Sequence, residues 1–280
     1  SNLNRAYRTE LGRGVTQMFD IDNCHIRLAV HFPRLHGGAD YDPETKFPRF
    51  MELIRDKKAI RRAVLEWYNF ADPSQEEREW HAKSMILIAL YDGDISYFAR
   101  KKKARNPKDM PWLTAFFAEC KELQDIWLAM PMWQSKCAGG RTLLDLLFEQ
   151  AEKRHPGCTE AKKRKAVFSY LIGGVEDLAL NSLMDVFVAH EWKVSLRIFD
   201  GFSAYVPQAD SKLPDPERTT DPLLIQRSID AANAKIEEVL KFPLPLKLEP
   251  MFDAPPLERF WLARPALTHS EELALHGIAS

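Results

Sequence analysis

The chain has 280 residues, of which 45% are hydrophobic and 28% are charged, and its formal net charge is −1 at pH 7. This length and composition fit a globular protein that buries a sizeable core, as one domain or two subdomains. They exclude a membrane span, because no apolar run approaches bilayer length. Four scattered cysteines and the absence of a signal-peptide pattern predict an intracellular protein in a reducing compartment.

The first predicted element is a strand at 17–21, which turns into a helix near Asn23. The helix would bury Ile26, Leu28, Ala29 and Phe32 on one face. Residues 33–49 contain three Pro and two Gly and predict a loop.

The stretch from 50 to 150 predicts helices almost throughout. The first covers 51–67, and Ser74 with Glu77 forms a capping pattern that begins a helix over 75–90. A basic loop follows Gly93. Further helices are predicted at 112–127 and 143–153.

A long helix is predicted over 159–190, interrupted at Gly173 and Gly174. It leads into a hairpin over 193–206, with Asp200 and Gly201 at the turn, because Asp-Gly between apolar runs is a strong hairpin signal. A surface loop at 207–222, a helix at 223–241, an edge strand at 244–249 and a tail from 253 follow. The pattern predicts an α+β fold with a small antiparallel sheet backed by helices and a helical insertion.

The sheet would contain two notable carboxylates, Asp20 at the end of the first strand and Asp200 at the hairpin tip. Two carboxylates on neighbouring strands suit Mg²⁺, which prefers oxygen ligands and needs few from the protein when a phosphate substrate supplies others. Two such ions support phosphoryl transfer. The alternative is that Asp200 serves only the turn.

The helix over 75–90 carries a lysine and an aromatic residue on roughly one face, since Lys83 and Tyr91 are about two turns apart. A lysine cation can bind the phosphates of a nucleotide, and an aromatic ring nearby can stack on its base. Arg78 lies farther around the same helix. The alternative is a plain amphipathic helix.

Together these stretches resemble the family-A, or right-hand, nucleic-acid polymerases, which include DNA polymerase I-like and single-subunit phage-type enzymes. Residues 20–31 look like motif A, Lys83 through Gly93 like motif B, and 196–202 like motif C. The helix and strand after motif C resemble the palm ending. The resemblance spans about residues 15–250 and implies a palm with an inserted helical fingers subdomain.

The resemblance implies roles for individual residues. Asp20, Asp200 and the Ile21 carbonyl would bind two Mg²⁺ ions, with Mn²⁺ as a substitute. Lys83, assigned to catalysis with the two aspartates, would bind the triphosphate with Arg78. Tyr91 would lie against the base, and His25 would act as a gate at the sugar, which favours deoxynucleotide substrates. Implied partners are a DNA or RNA primer-template, nucleoside triphosphates, and other replication proteins or domains.

The chain also differs from the family pattern. Phe199 replaces the usual His before the motif C aspartate, Gly201 replaces the Glu common in DNA polymerases, and Arg78 is one position early. His25 replaces Glu or Gly. Asp22 is unusual and is interpreted as an additional ligand or a helix cap. Glu176 lies in a stretch expected to approach the primer-template.

Basic clusters predict contacts with a nucleic-acid backbone. The residues assigned are Lys101, Lys102, Lys103, Arg105, Lys162, Lys163 and Arg164. Solvated helix faces are the alternative.

The predicted domains are 1–49 (palm, motif A), 50–158 (fingers-like insertion), 159–252 (palm, motif C) and 253–280 (tail). The predicted function is template-directed nucleotide addition. The alternatives are a primase or RNA polymerase, an inactive nucleic-acid-binding protein of the same fold, and a metal-dependent nuclease.

Overall fold

The computed structural model describes residues 16–35, 41–71, 74–136, 139–198, 200–205 and 222–249. These residues fall into two units. The described part of unit 1 comprises 16–21, 183–198, 200–205, 222–232 and 246–249, and that of unit 2 comprises the remaining described residues of 22–182 and 233–245. The predicted domain boundaries stay predictions.

Unit 1 contains a four-stranded antiparallel sheet in the order β2-β3-β1-β4. The strands are β1 (Thr16–Ile21), β2 (Lys193–Ile198), β3 (Gly201–Tyr205) and β4 (Leu246–Glu249). The predicted first strand, Asp-Gly hairpin and final edge strand are therefore confirmed. A bulge between Val194 and Leu196 shifts the register within the hairpin.

An aromatic cluster fills the core of unit 1. The Phe19 ring lies 4.5 Å from that of Phe187, 5.3 Å from that of Phe202 and 5.6 Å from that of Trp192, measured between centroids. The Trp192 indole N–H donates to the Ser228 hydroxyl at 2.8 Å, which satisfies a buried polar atom. Because Phe19 precedes Asp20, this packing fixes the end of β1.

Ten α-helices are present in the described part of the chain. They are α1 (Cys24–His31), α2 (Pro43–Lys46), α3 (Pro48–Arg55), α4 (Lys57–Tyr68), α5 (Gln75–Leu90), α6 (Ile95–Lys101), α7 (Pro111–Ala129), α8 (Leu143–Arg154), α9 (Glu160–Ala189) and α10 (Pro222–Leu240). The observed architecture is α+β, as predicted. None of these helices is both long and apolar enough to cross a membrane.

Unit 2 has its own aromatic core around Trp127, which is fully buried. Its ring stacks on Phe32 at 5.2 Å and approaches Trp133 and Phe168 at 6.2 and 5.9 Å. Its indole N–H donates to the Ala29 carbonyl at 2.7 Å, which ties α7 to α1. This core supports α1, the helix that carries His25.

Helix caps explain where several helices begin. Ser74 accepts from the Glu77 N–H at 3.1 Å, so the predicted capping pattern of α5 is confirmed. The single helix predicted over 51–67 was wrong, because Asp56 accepts from the Ala59 N–H and starts α4 afresh. The basic loop predicted after Gly93 is confirmed only from Lys102 to Met110, because Asp94 accepts from the Tyr97 N–H and begins α6.

Two other predictions need correction. The helix predicted to break at Gly173 and Gly174 runs unbroken as α9, since the buried side chains of Leu171, Ile172 and Val175 hold it in place. The loop predicted over 33–49 contains a 3₁₀ helix (Phe32–Leu35), α2 and the start of α3. The surface loop predicted at 207–222, apart from Pro222, and the predicted tail lie outside the described residues.

Candidate active site

The β1–β3 pairing brings the two predicted metal-binding aspartates to adjacent positions of one strand pair. Asp20 pairs with Gly201, and the Ile21 N–H donates to the Asp200 carbonyl at 3.0 Å. Asp200 lies in the turn before β3. The rule that successive side chains of a strand point to opposite faces of the sheet therefore does not apply to it. Both aspartates are half-buried. The hairpin and β1 thus hold Asp20, Ile21 and Asp200 on one rigid framework.

Glycine at position 201 has a packing cause. An added Cβ would lie 3.2 Å from the Asp20 Cα and inside van der Waals distance of the Phe19 carbonyl oxygen. A side chain there would push β3 away from β1. The close approach that keeps Asp200 beside β1 therefore requires glycine.

The donor set of this region suits Mg²⁺. Two aspartates and a main-chain carbonyl are hard oxygen ligands, and Mg²⁺ is commonly held by one or two carboxylates together with substrate phosphates. The described residues contain no group of three or more His, Cys, Asp or Glu side chains that form a metal site. A site completed by substrate is the arrangement that this donor set fits.

In unit 2 the structure brings together His25 of α1, Tyr91 at the end of α5 and Glu176 of α9. The Tyr91 hydroxyl lies 2.6 Å from His25 Nδ1. His25 Nε2 lies 3.2 Å from Glu176 Oε2, at ion-pair distance but outside hydrogen-bond geometry. When the hydroxyl donates to Nδ1, the ring proton sits on Nε2 and faces Glu176. The Tyr91 hydroxyl thus holds the imidazole on one side, and Glu176 faces it on the other.

Tyr91 and Lys83 belong to α5 but differ in setting. Tyr91 is the C-cap residue, with its ring 6.1 Å from Phe168, whereas Lys83 is exposed in the middle of the helix. Arg78 is half-buried one turn from the helix start. An exposed lysine keeps its charge available to a phosphate.

The C-terminal end of α5 is held in place by contacts with Asp92, the residue after Tyr91. Lys165 of α9 donates to the Asp92 carbonyl at 2.6 Å and lies 2.9 Å from its carboxylate, and Lys121 lies 3.8 Å from the same carboxylate. Asp92 has a left-handed backbone (φ 52). These contacts fix the position at which Tyr91 leaves the helix.

The Asp22 carboxylate is paired with cations of unit 2, and its role as an additional ligand or a helix cap stays a prediction. Its carboxylate, which is 9% exposed, pairs with Lys57 of α4 and lies 3.7 Å from Arg27 Nη2, while Arg27 Nε donates to its carbonyl at 3.1 Å. Burial lowers the pKa of Arg61, and the nearby Asp22 opposes that shift. Lys57 and Arg61 lie four residues apart on α4, a spacing that puts both on one face of the helix.

The assigned basic clusters separate into two kinds. Lys163 lies 2.6 Å from Glu152 and Arg164 lies 2.5 Å from Asp125, so both are matched by acids of the chain, while Lys162 is exposed. The other cluster, Lys101, Lys102, Lys103 and Arg105, lies at and after the end of α6. Together with the neighbouring Arg100, these cations form no ion pair with described residues. The positive charges of the second cluster are therefore available to bind phosphates.

No protein-family model and no curated protein matches the chain. Among solved structures, it is similar to the POL domain of Pol1 from M. smegmatis in complex with DNA primer-template and dNTP. The TM-score is 0.44 and the sequence identity 14%; the match covers 85% of this chain and 39% of that chain. The chain therefore spans about two-fifths of that protein's length.

Proposed function

We propose that the chain is a template-directed nucleotidyltransferase that adds nucleotides, preferably dNTPs, to a primer 3′-hydroxyl. The observation that carries this proposal is the β1–β3 register, which sets Asp20 beside the Asp200–Gly201 turn although the two aspartates are far apart in sequence. The order of the motif-like stretches adds support. On this basis, the sheet is the palm and the helices of 50–158 are the fingers.

Asp20, Asp200 and the Ile21 carbonyl would hold two Mg²⁺ ions, for which Mn²⁺ would substitute. When bound, the ions activate the primer 3′-oxygen and stabilise the charge that develops on the α-phosphoryl group. The chain itself would contribute a rigid support for the two carboxylates. Phe19, packed in the aromatic core, and Gly201, packed against β1, keep the carboxylates from moving during the reaction.

The residues of α5 and α1 would bind the incoming nucleotide. Lys83, with Arg78, would bind the β- and γ-phosphates and offset charge on the leaving pyrophosphate. Tyr91 would lie against the base. His25, held by the Tyr91 hydroxyl and facing Glu176, would occupy the space needed by a ribose 2′-hydroxyl.

Primer extension tests this function directly. The wild type should extend a primed template in Mg²⁺, and Asp200→Ala should lose about 10²-fold or more of the rate, the scale of a lost transition-state contact. Asp185→Asn on α9 is the control, since it removes an exposed carboxylate of unit 1 that is assigned no role in the site. Full activity of Asp200→Ala would refute the proposal.

The same assay separates the alternatives. Faster incorporation of NTPs than dNTPs, or synthesis without a primer, would indicate an RNA polymerase or primase. Loss of nucleotides from the primer instead of gain would indicate a nuclease. An inactive nucleic-acid-binding scaffold would show no extension and no Mg²⁺-dependent dNTP binding.

A further inference from the structure

Two exposed aromatic rings of unit 2 lie next to lysines. Trp80 of α5 is 54% exposed and Tyr97 of α6 is 56% exposed. Lys102 Nζ lies 5.3 Å from the Trp80 ring centroid, and Lys101 Nζ lies 5.9 Å from that of Tyr97. Elsewhere in the described chain, the rings near a cation are buried or half-buried: Phe47, Phe117 and Tyr170. Open rings beside lysines are thus specific to this surface.

The ring of Trp80 is held in place from behind. His81, which is 3% exposed, lies 5.3 Å from the Trp80 ring, 6.0 Å from Phe98 and 5.2 Å from Phe70, between centroids. Phe70 forms a β-bridge with Ala104 just after the lysines. A ring that is already ordered loses little side-chain entropy when a flat ligand stacks on it.

Lysines lie beside both rings, and further cations lie close to these lysines in sequence. The five cations at and after the end of α6 form no ion pair with described residues, in contrast to Lys163 and Arg164. A ligand that complements this surface carries repeated negative charges together with flat aromatic faces. Duplex DNA offers the charges but keeps its bases stacked inside, whereas a single strand offers both.

We propose that this surface, which consists of Trp80, Tyr97 and the cations Arg100, Lys101, Lys102, Lys103 and Arg105, binds unpaired single-stranded nucleic acid. Bases stack on the two rings, and phosphates pair with the cations. The role of that strand as the unpaired template rests on the proposed function. Binding itself does not require catalysis.

The test measures fluorescence anisotropy of three labelled probes: (dT)16, an abasic strand with the same number of phosphates, and a 16-bp duplex. The wild type should bind (dT)16 more tightly than the other two. Trp80→Leu and Tyr97→Leu should each weaken (dT)16 binding by about 5-fold or more and leave abasic binding nearly unchanged, since each removes a stacking contact. Trp80→Phe should retain most of the affinity.

Lys102→Gln should weaken binding of (dT)16 and of the abasic strand alike and reduce its salt dependence. Tyr170→Leu and Lys235→Gln are matched controls, with a ring near a cation and an exposed lysine elsewhere in unit 2. The inference is overturned if the wild type binds (dT)16 no more tightly than the abasic strand or the duplex. It is also overturned if both Leu variants bind (dT)16 as the wild type does.

The two proposals fail separately. Asp200→Ala should bind (dT)16 with wild-type affinity, because the rings and cations are untouched. A wild type that stacks on (dT)16 but extends no primer would refute the proposed function alone. A wild type that extends primers while the Leu variants bind (dT)16 normally would refute the stacking surface alone.

Discussion

Gly201 lies opposite Asp20 in the pairing of β1 with β3, and the approach of the two strands leaves no room for a side chain at position 201. The residue after Asp200 is therefore fixed by packing against β1. Any residue with a side chain at this position would need the two strands to separate. Glycine at position 201 thus keeps the Asp200 turn close to β1.

Gly201→Ala should destabilise the protein by about 1–3 kcal/mol, because the added methyl group overpacks the strand pair. Gly174→Ala is the matched control: nothing lies within 4 Å of its added Cβ on α9, and alanine favours the helix by about 0.5–1 kcal/mol. Urea unfolding measures both changes. Equal stability of Gly201→Ala and the wild type would contradict the packing explanation.

His25 should control the choice of sugar. His25→Gly should raise the kcat/KM for NTPs relative to dNTPs by about 10-fold or more, a change of about 1.4 kcal/mol in discrimination. Tyr91→Phe should shift the ratio in the same direction by less, because it removes only the hydroxyl that holds the imidazole. Single-nucleotide incorporation with matched dNTP and NTP pairs measures the ratio. An unchanged ratio in His25→Gly would show that another residue excludes the ribose.

Asp22 should contribute to stability through its buried ion pairs. Asp22→Ala should cost about 1–3 kcal/mol, because it leaves Lys57 without its acceptor and removes the carboxylate beside the partly buried Arg27. The exposed pair of Arg55 and Glu44 is the control, and Glu44→Ala should cost about 0–1 kcal/mol. Thermal and urea unfolding report both values. A smaller loss for Asp22→Ala than for Glu44→Ala would contradict this account.

His31 should make the protein less stable in mild acid. Burial lowers its pKa from 6.5 to about 4, and the positive charges of Arg27 and Arg34 act in the same direction. Between these pH values the unfolded chain binds a proton that the folded chain does not, so stability is full above about pH 6.5 and falls as the pH drops towards 4.

The variant His31→Gln removes this titration. Between pH 7 and pH 4.5 the wild type should lose about 1–2 kcal/mol more stability than the variant, after allowance for partial solvent exposure. The contact between His31 and Phe242 is lost in the variant at every pH and cancels in this comparison. Parallel pH profiles for the two proteins would contradict the prediction.

The features that were predicted correctly from the sequence depend on only a few neighbouring residues. The Asp200–Gly201 turn and the Ser74 cap carry their signals within a few residues, so the hairpin and the start of α5 were predicted correctly. The break at Asp56 was missed because an apolar helical period runs across it. The continuity of α9 was missed because buried neighbours outweigh the helix-breaking tendency of Gly173.

Within the candidate site, the neighbourhood of Asp20 and Asp200 was predictable once the strands had been identified. The contact between His25 and Tyr91 and the pairing of Asp22 with Lys57 were not predicted, since they join residues of different elements and depend on how the helices pack. Trp80 and Tyr97 were not identified from the sequence as candidate binding residues. An aromatic residue in a helix is usually buried, and only the packing leaves these two exposed.

The most direct test of the central claim is single-turnover nucleotide incorporation by the wild type, Asp20→Asn, Asp200→Asn and the double variant. If the two carboxylates act as one unit, each single variant should lose about 10²-fold or more of the rate, and the double variant should lose little beyond the larger single loss. A single variant that incorporates nucleotides at the wild-type rate would contradict the claim that Asp20 and Asp200 together carry out the chemistry.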